Sequence, residues 1–193
     1  DPAGAGPQYL DSTAGARNGT KVATPTRVTG SIGYAAGLNA GTDAIDINSD
    51  LSAVLGVTST FSAWMRTTQV GNNTMWQAPG LTGIEQAGGG NDIFFGWLDA
   101  GGLIGITAGN GANAKSTFVV NNGAWRHVSI TRTSGTGAVR FFINGVFQNT
   151  ANSATGNKTT YFDLLGEIGD TGGTPVNYNG DMDEVRIYNS VQS

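Results

Sequence analysis

Apolar residues in this chain fall in short runs that alternate with polar ones, the period-two signature of β-strands. The runs predict strands at 19–24, 31–38, 44–47, 58–67, 74–78, 83–86, 92–99, 103–108, 116–120, 125–133, 138–143, 146–150, 161–168 and 182–188. Turn formers separate them, among them Gly71-Asn72-Asn73, Ala100-Gly101-Gly102 and Asn121-Asn122-Gly123. Asn144-Gly145, between AVRFFI and VFQNT, reads as a two-residue hairpin turn, because both central positions of a type I′ turn take positive φ. Only 50–56 (DLSAVLG) can form a helical turn. No repeat or linker divides the chain. So many strands over one core predict a single all-β domain over 1–193, two antiparallel sheets packed face to face as a jelly-roll sandwich.

One stretch breaks the alternation. In GGGNDIFFGWLD (88–99) both parities are apolar. Counting by twos sends Phe94 and Leu98 to the core and Ile93, Phe95 and Trp97 to a second surface, buried by another layer or offered to a ligand.

Composition narrows the functional classes. Charged residues are 12% of the chain, against about 25% in average proteins. Net charge is −4 and no basic stripe is present, so nucleic acid and anionic membranes are improbable partners. No apolar run is long enough to insert in a membrane. Cysteine is absent, which excludes disulfides and thiol catalysis. An acidic, cysteine-free, Asn/Asp/Gly-rich chain fits an exported bacterial protein, placed outside the cell or on its surface.

Several segments carry a family resemblance. FSAWMRT (61–67), NNGAWRHVSITRTSGTGAVRFFINGVFQNTA (121–151) and YNGDMDEVRIYNSVQS (178–193) resemble the laminin-G-like jelly rolls of the concanavalin A-like lectin/glucanase group. So do DSTAGARNGT (11–20) and GYAAGLNAGTDAIDI (33–47) at the entry. The 88–99 stretch with IGITAGNG (104–111) is similar to a subset found in large bacterial surface proteins, with Phe95 where that subset more often has Trp. The resemblance implies a monomeric module of a larger protein, from a group holding lectins, hydrolases, lyases, protein binders and spacers.

Catalysis finds little support in the residues. Hydrolases of this fold set carboxylates two apart on one strand. Asp181 and Asp183 have that spacing but fall in the family's last strand, and Glu85 has no carboxylate two residues away. Lyases of the fold use a His and a Tyr with Gln and Arg, so His127 and a Tyr would have to share a cleft. No GxSxG turn or phosphate loop is present. No catalytic residue is assigned.

Binding is the expectation, to a glycan or cell-surface polysaccharide. Aromatic faces that stack on sugar C–H groups and planar polar groups that meet hydroxyls are the needed chemistry. Trp76, Trp97, Phe142 and Tyr178 are expected off the core, with Trp64 and Trp125 structural. The expected ligand set is Glu85, Asn91, Asp92, Trp97, Asp99 and Asp170, whose oxygens on Gly-rich loops also suit calcium. A structural calcium held by Asp11, Asn18 and Asp183 is what the resemblance implies, the rival being a salt link from Asp183 or Glu184 to Arg17 or Arg186.

Overall fold

The computed structural model describes residues 9–110 and 113–192. The expected sandwich is present, built from sixteen strands among the described residues. The nine-stranded sheet runs β1 (Thr20–Val22), β4 (Ala44–Asp46), β13 (Leu164–Leu165), β6 (Thr82–Glu85), β7 (Ile93–Leu98), β8 (Leu103–Ala108), β9 (Ala114–Val119), with β14 (Glu167–Asp170) and β15 (Val176–Asn177) attached through β6. The seven-stranded sheet runs β12 (Val146–Asn152), β11 (Ala138–Ile143), β10 (Arg126–Arg132), β5 (Ser59–Arg66), β16 (Gly180–Tyr188), β3 (Tyr34–Leu38), β2 (Thr26–Thr29). Pairing is antiparallel except that β14 lies parallel to β6, which sets Asp170 opposite Glu85. The single helical turn α1 (Ser52–Leu55) and the Asn144-Gly145 turn, with φ of 51° and 76°, stand where the sequence puts them.

The core lies between the sheets. Phe61 and Met65 of β5, Ile130 of β10 and Phe141 of β11 meet Phe95 of β7 and Ile106 of β8, with the Phe61 and Phe95 rings 6.2 Å apart. A second, smaller cluster of Phe94, Trp97, Ala78 and Ile168 sits on the outer face of the nine-stranded sheet. It is roofed by the connection from β5 to β6. Asn72 N–H donates to the Leu98 carbonyl at 3.0 Å, Leu98 N–H to the Pro79 carbonyl at 2.8 Å, and Met75 packs on the cluster. This strap is the predicted 74–78 strand, and it is a 3-10 turn, Met75–Gln77. The Asn72 side chain accepts Thr74 N–H at 2.8 Å and bends the chain before any sheet edge is reached.

The doubly apolar stretch is thereby explained, with the parity changed from the expectation. Ile93, Phe95 and Leu98 face the main core while Phe94 and Trp97 face the strap. The cause is a β-bulge at Gly96, where the register against β8 slips between Phe95 and Trp97. One extra residue reverses the alternation downstream. Gly96 has φ of 75°, and a Cβ there would stand 2.6 Å from Leu81. Gly105 on β8 must also lack a side chain, since its Cβ would lie 2.4 Å from the Trp97 ring.

Three further differences concern weakly apolar segments. β2, following Pro25, holds only Val28 as an apolar residue and forms through backbone pairing with β3 at the sheet edge. β15 is two residues long, too short for a period to register. The predicted 161–168 strand is divided at Gly166 into β13 and β14.

Candidate functional site

Three loops meet at one end of β6 and β7. The 86–92 turn closes with Gly89 N–H on the Gln86 carbonyl at 2.7 Å, and Gln86 N–H donates back to Asp92 Oδ1 at 2.8 Å. The segment after β12 is tied to it, because Asn91 Oδ1 accepts Thr159 N–H at 3.0 Å. Thr160 Oγ1 stands 3.0 Å from Gln86 Oε1. The third loop follows β14, where Thr171 N–H donates to the Glu85 carbonyl at 3.0 Å and Gly172 N–H to Asp170 Oδ1 at 2.7 Å. Glu85, Asn91, Asp92 and Asp170 of the expected ligand set therefore share one rim.

Its electrostatics are unbalanced toward negative charge. Burial first, then the hydrogen bond and charge of Asp170 and the charge of Asp92, push the Glu85 carboxyl up to about 7. Glu85 thus holds its proton close to neutrality, as a carboxyl crowded by other carboxylates does. Asp92 is raised as well, by burial and by Asp170, against the opposing Gln86 amide and Lys158. Lys158 supplies the nearby cation. It is buried, donates to the Gly90 carbonyl at 3.1 Å, and has a lowered pKa through burial and the charge of Arg132. Arg132 is itself fully buried and bonds the carbonyls of Gly56, Ala154 and Gly156, which anchors the loop that delivers Lys158. Gln86 is read from the sequence with Glu85 as part of the hairpin's polar flank, whereas Lys158 and Thr160 are not, since no local pattern brings 153–160 to this turn.

Trp97 and Asp99 do not join the rim. Trp97 is 1% exposed, so its ring offers no face to a ligand, and its Nε1 has no hydrogen-bond partner. Asp99 sits at the far end of β7 and accepts Lys115 Nζ at 2.8 Å with the amides of Gly101 and Leu103 at 2.8 and 2.9 Å. Burial acts to raise its pKa, but Lys115 and these amides outweigh it and hold the carboxyl low. Tyr178, also expected off the core, is fully buried in it, with its hydroxyl on the Arg66 carbonyl at 3.1 Å. Trp76 is 51% exposed, on the strap.

Asp11 and Asp183 line a second place, an open cleft of about 900 Å³ that also holds Tyr9, Arg17, Tyr34 and Arg186. The donors there do not fit a calcium ion. Asp11 turns its oxygens onto the amides of Thr13 and Arg17, which lower its pKa, and Asn18 Oδ1 accepts Asp11 N–H at 2.9 Å. Asp183 Oδ2 accepts Ile32 N–H at 2.9 Å. Calcium needs six to eight converging oxygens. Among the described residues no three Asp, Glu or His side chains are grouped as metal ligands. The rival salt link is present as Glu184–Arg186 at 3.0 Å.

His127 and Tyr188 do share a depression, with Arg186 and Gln192, on the outer face of the seven-stranded sheet. His127 packs edge-on to Trp64, ring centroids 5.4 Å apart, and burial, then the Arg186 charge, lower its pKa.

Two sheets sharing one core and a loop rim of side-chain carboxylates, amides and hydroxyls define a jelly roll of the lectin and glucanase type. The chain belongs to the concanavalin A-like lectin/glucanases superfamily, whose laminin-G-type family model matches residues 39–193. Among solved structures, it resembles domain 4 of AbnA, a GH43 extracellular arabinanase from Geobacillus stearothermophilus, in complex with arabinotriose. That likeness has a TM-score of 0.63 at 22% identity, over 91% of this chain and 84% of that one. The Ruminococcus gnavus IT-sialidase CBM40 bound to α2,3-sialyllactose matches with a TM-score of 0.57 at 15% identity over 91% of both chains. The binding domain of botulinum neurotoxin DC in complex with SialylT matches with a TM-score of 0.63 at 10% identity, over 95% of this chain and 46% of that one. At these identities the likeness is one of fold. No curated protein matches the chain in sequence. No helix among the described residues is long and apolar enough to cross a membrane.

Proposed function

We propose that this protein is a carbohydrate-binding module that holds a glycan at the Glu85–Asp170 rim and does not cleave it. The observation that carries this reading is the convergence of Glu85, Asp92 and Asp170 with the amides of Gln86 and Asn91 on three tied loops. Carboxylates and amides held in this way accept and donate to sugar hydroxyls without further ordering. The solved relatives in complex with arabinotriose and sialyllactose support the ligand class. A polysaccharide ligand of this kind is met outside the cell, and that is where the module is placed.

Binding is tested on a glycan array and then by calorimetry, with arabinotriose and α2,3-sialyllactose among the probes. Saturable binding lost on replacing Glu85 and Asp170 by Ala, in a protein that still melts cooperatively, supports the reading. A folded protein that binds no array glycan, or binding that survives the double change, overturns it. New reducing ends after incubation with a bound polysaccharide would overturn the non-catalytic part alone.

One observation favours protein docking as a second reading. Val146 and Phe147 of β12 are 62% and 52% exposed, and Phe118 and Val119 on the adjoining β9 are 37% and 45% exposed. Phe147→Ser with Val119→Ser would abolish such docking and leave glycan binding unchanged.

A further inference from the structure

The outer face of the seven-stranded sheet carries a feature that the rim does not use. Four neighbouring strands set Arg186, Ser62, Ser129 and Phe142 side by side in register. Central strands favour β-branched or aromatic residues where they can pack against cross-strand neighbours. Two opposed serines leave a floor one layer lower than their flanks. The depression over them measures about 260 Å³ and is walled by Phe142, His127, Arg186, Tyr188 and Gln192. That is below the roughly 300–1,000 Å³ of pockets for drug-sized ligands, and suits one ring rather than a chain.

The floor offers accessible hydroxyls. Ser62 is 6% exposed, and among the described residues neither its hydroxyl nor that of Ser129 makes a hydrogen bond. By contrast Thr60, beside them, is fully engaged: its Oγ1 donates to the Ser190 carbonyl at 2.8 Å and accepts Gln192 N–H at 2.9 Å, which fixes the tail at the edge of the depression. His127 bonds through its backbone, N–H to Asn144 Oδ1 at 3.0 Å and carbonyl from Asn144 N–H at 2.8 Å, and among the described residues its imidazole makes no hydrogen bond. Burial and then the Arg186 charge favour its neutral imidazole, which has one donor and one acceptor nitrogen. Arg186 is the sole full charge in the lining, on a chain of net charge −4. Its partner Glu184 is exposed, so the pair is weak and open to exchange with another carboxylate.

We propose that this depression is a second sugar site, which takes a single carboxylate-bearing ring of the uronic acid type. The ring lies against Phe142, its hydroxyls bond Ser62, Ser129 and His127, and its carboxylate pairs with Arg186, whose planar fork matches carboxylate geometry. The ligand class rests on the carbohydrate reading above, but the location is independent of the Glu85–Asp170 rim.

The test is a titration of the folded, isotope-labelled protein with trigalacturonate, following the His127 ring and the backbone amides of β5 and β10. The neutral galactose trisaccharide is the control. Expected are saturable shifts at His127 and Ser129, at least tenfold weaker for the neutral sugar. Arg186→Met should weaken trigalacturonate binding about tenfold, and Ser62→Val should abolish it while melting normally, since valine suits a central strand. Ser129→Ala, which adds no bulk, serves if Ser62→Val disturbs the fold. Glu85→Gln should change nothing here. No shift at His127, or unchanged binding by Arg186→Met, overturns the second site. If glycans still bind in a Glu85-dependent way, the rim reading survives that failure. If trigalacturonate binds here and nothing binds the rim, the second site stands and the rim reading falls.

Discussion

The two ends of β7 carry an aspartate each, both 4% exposed, in opposite electrostatic states. Asp99 is met by a lysine and two amides and is held ionised, whereas Asp92 has one amide, a more distant Lys158 and two neighbouring carboxylates, and is pushed toward protonation. Their exposed surface is equal, and burial acts to raise both carboxyls. What differs is whether the surrounding strands supply compensating donors. At the Asp99 end every charge is answered within the protein, and the Trp97 ring beside it is roofed. At the Asp92 end the protein leaves acceptors for a partner to answer. The first end serves the fold, and the second carries the proposed glycan rim.

The largest effect should come from the roofed end. Trp97→Ala removes the largest side chain of the second cluster and should cost about 3–5 kcal/mol, read as a fall in the denaturant midpoint. Any loss of glycan binding should track the fraction unfolded. Binding lost in a fully folded Trp97→Ala protein would show that the strap lifts and the ring reaches the ligand. Asp99→Ala should come next, at about 2–3 kcal/mol, because Lys115 and two amides lose their acceptor together. Lys115 can partly turn to solvent, which keeps the figure below that for a fully buried pair.

Much of this architecture is legible in the sequence, and the failures have physical causes. The bounds of β8 and β11 are read to the residue because LIGITA and AVRFFI are apolar runs closed by turn residues. Gly96 defeats the reading of β7. A glycine inside an apolar run is visible, but whether it bulges depends on Leu81, which comes from another segment. Asp170 could be placed beside the 86–92 turn from fold resemblance. Lys158 and Thr160 could not, since the buried Arg132 that steers their loop reads as an ordinary strand residue.

The rim end should respond to pH in the opposite sense to the Asp99 end. Folding raises Glu85 from its ordinary 4.5 to about 7. Between these values the folded protein keeps a proton that the unfolded chain has released, so stability falls as pH rises through this window. Asp99 is lowered, so its contribution is present above its ordinary 3.8 and is lost as pH falls through the folded value. Glu85→Gln should flatten the upper slope and stabilise the protein above pH 7 by about 1 kcal/mol after solvent screening. It should also weaken rim binding about tenfold. A pH profile identical to the parent's would mean that folding does not raise the Glu85 carboxyl.

The smallest effect separates the rim from the Asp11–Asp183 cleft. Melting in excess chelator and in saturating calcium should agree within about a degree, since a ligand stabilises only in proportion to its affinity for the folded state. The cause is local. Asp11 spends its oxygens on the amides of its own turn and Asp183 on Ile32 N–H, so binding calcium there would break hydrogen bonds already made. The rim has the freer carboxylates, yet Glu85 retains a proton near neutrality, and a cation would first have to displace it. A calcium-induced rise in melting temperature would therefore carry a signature of its source. If it strengthened steeply from pH 6 to 8 and vanished in Glu85→Gln, the ion would sit among Glu85, Asp92 and Asp170. If it were flat in pH and vanished in Asp183→Asn, the cleft would have rearranged its amides around the ion.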